Sequence, residues 1–153
     1  MIDDKLQALG IALPPAPRPV ASYVPAVETG SLLFISGQLP IRDGALIHTG
    51  RVPDAVTLEA AKEAARQCLI NVLAVAREQL TTLDRVVRIV RLSGFVASAP
   101  DFYQQPAIIN GASDLLEAVF GLAGQHSRIA VGVVSLPLNA PVELDLIMQI
   151  QDA

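Results

Sequence analysis

From Thr57 to Leu80 the apolar and small residues Leu58, Ala61, Ala65, Cys68, Val72, Val75 and Ala76 recur in steps of three and four, with Glu59, Lys62, Glu63, Arg66, Arg77 and Glu78 between them. This spacing predicts one long amphipathic helix over 57–80, whose apolar stripe needs a surface to pack on. Strands elsewhere in the chain can supply it. Ser31 to Leu39 (SLLFISGQL) is a short apolar run stopped by Pro40, and its length favours a buried strand. Gly37 inside that run marks a bulge or the close approach of another group. Arg42-Asp43-Gly44 is a turn signal, after which Ala45 to His48 can return as a short strand.

Asp84 to Ala97 (DRVVRIVRLSGFVA) is β-branched and alternating, which predicts a strand with one covered face. Ala99-Pro100-Asp101 opens a second helical region, with a break expected at Pro106 and a fresh cap at Asn110 or Ser113. Ser127–Leu136 and Val142–Ile150 are strand candidates, and Pro137-Leu138-Asn139-Ala140-Pro141 between them suggests a hairpin connection. Residues 1–19 hold four prolines and form a short helix or arm with an extended lead-in, expected to be peripheral to the core. The order ββ, α, β, α, ββ predicts a single α+β domain over residues 1–153, with 1–19 as its N-terminal arm. Both main helices are expected on one face of a mixed sheet, leaving the other face apolar and uncovered.

Composition says what covers that face. The chain is 52% hydrophobic and 17% charged, with a mean hydropathy of +0.46, more apolar than an ordinary soluble domain of 153 residues. No run reaches the roughly 18 uncharged apolar residues of a spanning helix, so an oligomer is expected and a membrane is not. An acidic start, Met1-Ile2-Asp3-Asp4-Lys5, and a single cysteine, Cys68, fit a cytoplasmic protein with a buried helix-face thiol. Fifteen acidic against eleven basic residues, without a basic cluster interleaved with aromatics, argue against a nucleic-acid partner.

Phosphate-binding loops, dinucleotide fingerprints, nucleophile elbows and metal-spaced His/Cys sets are absent from the sequence. His48 and His126 are too few for a histidine-based zinc site. What stands out is Arg128 at the start of one apolar strand (RIAVGVV) and Glu143 inside another (VELDLI). Charged groups are rarely buried unless paired or functional, although a solvent-facing strand position would account for either residue alone.

Ser36-Gly37-Gln38 after an apolar strand, Ser127-Arg128 before another, and Leu136-Pro137 followed by Val142-Glu143 resemble the signature segments of the Rid/YjgF family of reactive intermediate deaminases, over about residues 20–151. The resemblance implies a chorismate-mutase-like α+β fold assembled as a homotrimer whose sheets form a central barrel. It also implies hydrolysis of 2-imino (enamine/imine) acids to 2-keto acids and ammonia, with no metal or cofactor. By the same resemblance, Arg128 clamps the substrate carboxylate and Glu143 activates water. Tyr23, Ser36, the Gly37 backbone and Asn110 then line the pocket. His126 has a surface or hydrogen-bonding role, or touches ligand. Ala130 stands where the family often has cysteine, and Gln125-His126-Ser127 replaces a proline-containing lead into the arginine. Some relatives carry an endoribonuclease label, which the acidic charge disfavours here. The competing reading is a non-catalytic trimer that binds a carboxylate metabolite through Arg128.

A hairpin of 127–136 with 142–150 would put Glu143 opposite about residue 135, roughly 24 Å along the strands from Arg128. One chain could not then join them. A shared pocket would take Arg128 and Asn110 from one subunit and Glu143, Tyr23 and Ser36 from its neighbour.

Overall fold

In the computed structural model, which describes residues 1–19 and 21–152, the 57–80 periodicity becomes a helix over Leu58–Leu80. Thr57 caps it, its side chain accepting from the Ala60 amide. In chain order the main elements are α1 (Ile2–Ala8), β1 (Ala26–Thr29), β2 (Leu32–Gln38), β3 (Ile41–Arg42), β4 (Ala45–Leu46) and α2 (Leu58–Leu80), followed by β5 (Val86–Ala97), α3 (Gln105–Phe120), β6 (Ser127–Val133) and β7 (Val142–Ile150). Five strands form one mixed sheet in the order β1-β2-β7-β5-β6, and β3 with β4 makes a separate small hairpin.

β7 runs antiparallel to both β2 and β5, while β6 lies at the edge, parallel to β5. A parallel neighbour needs a crossover, and α3 provides it between β5 and β6. Strand β7 shows why two layers form. Val142, Leu144, Leu146, Met148 and Ile150 are buried, and the residues between them are only partly so. The buried set meets Leu69, Val72 and Leu73 of α2 and Ile108, Ile109 and Leu116 of α3 in the core, each side chain contributing about 1.5–3 kcal/mol of burial. No described element covers the opposite face. Val27, Phe34, Ile129 and Val131 there remain 39–50% exposed, the uncovered apolar face that alternation and composition had indicated.

Several expectations need correction. β6 and β7 do not form a hairpin, because β5 lies between them. The Pro-rich link instead carries the chain over the end of β5, with Leu138 and Asn139 in the left-handed region (φ 58° and 63°), and is pinned there by Gly50 N–H to the Asn139 carbonyl and Ala97 N–H to the Pro141 carbonyl. Pro106 does not break the second helix. It sits in the first turn of α3, where a missing N–H costs nothing, so Asn110 and Ser113 fall inside the helix rather than capping it. The arm is not peripheral: Leu6 and Ile11 are buried in the main core. β1 was not foreseen; it pairs with β2 through the Gly30-Ser31 turn. Residues 105–124 do reach the length and mean hydropathy (1.2) of a membrane span, but half of that window is buried against the sheet and it contains Asp114 and Glu117, as a core helix does. Cys68 is the buried α2 thiol expected, and burial, with the Glu143 carboxylate second, pushes its pKa up.

Gly111 of α3 packs directly against α2. A Cβ at Gly111 would overlap the Lys62 carbonyl oxygen, a backbone atom that cannot rotate away. Gly111→Ala should therefore destabilise the protein, overpacking of about 1–3 kcal/mol outweighing the ~1 kcal/mol gain in helix propensity. Calorimetry should show the melting temperature falling by several degrees; an unchanged or raised value would mean that the helices part without cost.

Candidate functional site

Glu143 belongs to the β7 residues that point away from the helices, next to Phe95 of β5 in register. It is half-buried there, and its pKa is raised from the usual carboxylate value, chiefly by burial and secondarily by Asp145 on the same face. Strand β2 makes room for it. The β2–β7 register shifts between Ile35 and Gln38, and a Cβ at Gly37 would overlap Glu143 Oε1, so the bulge and the glycine together admit the carboxylate. Both readings of Gly37 from sequence thus apply. Tyr23, Gly37, Gln38 and Leu138 line a small cleft beside it, with Tyr23 48% exposed and available to a ligand. Ser36 adjoins this group, its hydroxyl donating to the Val24 carbonyl at 2.7 Å.

Arg128 lies on the other side of the sheet. It pairs in register with Leu92, a core residue, and its guanidinium reaches α3. Nη1 donates to Ser113 Oγ at 2.9 Å and Nη2 to the Pro106 carbonyl at 3.3 Å. Behind Ser113, His126 Nε2 is 2.9 Å from Oγ and Nδ1 is 2.6 Å from the Gly124 carbonyl. A carbonyl oxygen only accepts, so Nδ1 carries a proton, and in that tautomer Nε2 accepts from the Ser113 hydroxyl. The chain of donors then runs from Arg128 through Ser113 to His126 and fixes the arginine's direction. Asn110, one turn before Ser113 on the same helix face, lines the same cleft.

The predicted site residues thus fall into two groups. Tyr23, Ser36, Gly37 and Glu143 come together, and so do Asn110 and Arg128, but the groups are on opposite faces of one sheet. With β6 and β7 flanking β5 and their residues matched to Leu92 and Phe95, the two Cα atoms are about 14 Å apart, not 24 Å. β6 and β7 are thus not the expected hairpin pair, yet the two residues remain separated within one chain, and the intervening sheet makes that separation stricter. Sequence reasoning missed Ser113 and the Pro106 carbonyl as partners of Arg128. The available signal was the three-residue spacing of Asn110 and Ser113, hidden by the supposed break at Pro106. Among the described residues no three His, Cys, Asp or Glu side chains converge as a metal-ligand set.

Residues 3–150 match the family described as "YjgF/chorismate_mutase-like, putative endoribonuclease". The chain is 43% identical to protein TCP17 of Trypanosoma cruzi, covering 96% of this chain and 92% of that protein. It is 29% identical to a 2-iminobutanoate/2-iminopropanoate deaminase of Dermatophagoides farinae, over 92% of this chain and 95% of the relative. The crystal structure of an Agrobacterium tumefaciens protein of unknown function superposes with a TM-score of 0.92 at 44% identity, covering 98% of this chain and 92% of the other.

Proposed function

Since the chain belongs to the YjgF/chorismate mutase-like family, we propose that it hydrolyses 2-imino acids to 2-keto acids and ammonia, at sites completed between copies of itself in a homotrimer. The observation that carries this reading is the division of the site. A directed arginine with Asn110 occupies one face, a half-buried carboxylate with Tyr23 and Gly37 the other, and an apolar sheet face lies open for a second copy. The name of the Dermatophagoides farinae relative supports the substrate class.

In this reading Arg128 grips the substrate carboxylate with paired N–H donors, a task for a planar guanidinium. Glu143 of the neighbouring copy takes a proton from water as the oxygen adds to the C=N carbon and passes it to the nitrogen, giving a neutral carbinolamine. Glu143 then takes the hydroxyl proton as the C=O bond forms and delivers it to the departing nitrogen, so that the C–N bond breaks and ammonia leaves. A carboxylate whose pKa is lifted by burial suits both proton transfers.

The test is ammonia release from freshly generated 2-imino acids, small and bulky. Acceleration over buffer supports hydrolysis. Thermal stabilisation by carboxylates through Arg128 without turnover would replace it with a binding role. A subtler expectation concerns Ser113: in Ser113→Ala the guanidinium loses one of its two protein partners, so KM should rise about three- to tenfold with kcat little changed. Ser113→Thr, which keeps a hydroxyl, should recover much of the loss; equal defects in the two variants would remove Ser113 from the account.

A further inference from the structure

A groove of 720 Å³ runs between the N-terminal arm, the β3–β4 hairpin and α2. Ile11, Pro14, Ile41 and Ile70 give it apolar walls, and Arg18, Arg42 and Arg66 line it from three different parts of the chain. None of these arginines takes part in the ion pairs found among the described residues, and Asp43 is the one carboxylate lining the groove. On a chain of net charge −4 such a convergence of cations creates a local field that favours an anion.

The groove also adjoins the cleft beside Glu143. Pro17, Arg18 and Ile41 line both the groove and the cleft that holds Tyr23 and Gly37. The groove and the cleft are thus neighbours across Arg18, and Gly37 on the cleft's far wall abuts Glu143. A ligand matching this layout has its reacting head at Glu143, an apolar chain along the groove and a second negative group at the arginines. A 2-imino acid with a short alkyl side chain would leave the groove empty.

We propose that the preferred substrates are 2-imino acids whose side chain ends in a second carboxylate, read by Arg18, Arg42 and Arg66. The identity of the head group rests on the hydrolysis reading above; the groove and its charges stand apart from it. The arm is thereby a specificity element, supplying both an apolar wall and a cation.

The decisive comparison pairs 2-imino diacids of five to eight carbons with 2-imino monoacids of equal length, generated in place by an amino acid oxidase. Solvent-exposed ion pairs are individually weak, so the three arginines together should favour the best-fitting diacid about tenfold in kcat/KM, mainly through KM. In the Arg42→Ala/Arg66→Ala variant that ratio should fall toward unity. Diacids no better than monoacids, or a preference untouched by the double substitution, overturns the proposal and leaves imine hydrolysis standing. If neither substrate class turns over, hydrolysis fails and the groove is tested by calorimetry with suberate against octanoate. Tighter suberate binding that requires Arg42 and Arg66 supports the charge reading, and equal or absent binding overturns it.

Discussion

Glu143→Gln should lower kcat for imine hydrolysis by about 10²–10⁴-fold, the range a positioned general base contributes, without weakening the fold at neutral pH. The amide keeps the shape that Gly37 accommodates but cannot take a proton from water. Stability should move the other way from activity. Burial, helped by Asp145, raises the folded-state pKa of Glu143, so the folded protein holds this proton more tightly than the unfolded chain. The resulting stabilisation is fully present below the unfolded carboxylate value and is lost as pH rises through the folded one. Above that window the wild-type protein carries the cost of a half-buried charge that glutamine lacks. The melting-temperature difference between the two should therefore shift in favour of Glu143→Gln as pH rises from about 4 to 7. The wild-type rate should climb with pH to an inflection above the ordinary glutamate range, and the variant's residual rate should lack it. A variant that loses activity and stability together would mark Glu143 as a structural residue.

Arg128→Ala should reduce kcat/KM by about 10²–10³-fold, the loss of a charge-assisted bidentate contact worth roughly 3–4 kcal/mol. Most of it should appear in KM, because a carboxylate is held in the ground state as well as in the transition state. Arg128→Lys should rescue little. An ammonium cannot hold the Ser113 hydroxyl and the Pro106 carbonyl while presenting a planar pair of donors to a ligand. Near-complete rescue by lysine would reduce the role to charge alone.

The residues most legible in the sequence were those whose local pattern carries its own physics. The 57–80 helix is a period of 3.6, and Gly37 is a glycine where a strand should have a side chain. Glu143 and Arg128 showed as charges set into apolar strands. The uncovered sheet face followed from alternation joined to an unusually apolar composition. What local pattern does not record is which strand neighbours which. The 137–141 link has the length and prolines of a hairpin, yet the same residues bridge over β5, and only the choice of β5 as the shared neighbour of β6 and β7 distinguishes the two. Pro106 misled for a related reason, since proline stops a helix in its interior and starts one in its first turn. Reading it as a break split α3 and concealed that Asn110 and Ser113 share the face that meets Arg128.

In the proposed assembly one site draws Arg128 from one copy of the chain and Glu143 from another. Arg128→Ala and Glu143→Gln chains, each nearly inactive, can be unfolded together, refolded as a mixture and assayed for ammonia release. With random assembly at equal ratio, each subunit boundary has about a one-in-four chance of joining an intact Arg128 to an intact Glu143 across a head-to-tail interface. Recovery to roughly one quarter of wild-type activity is expected, falling as either variant is put in excess. Activity that stays at the sum of the two separate variants would contradict it.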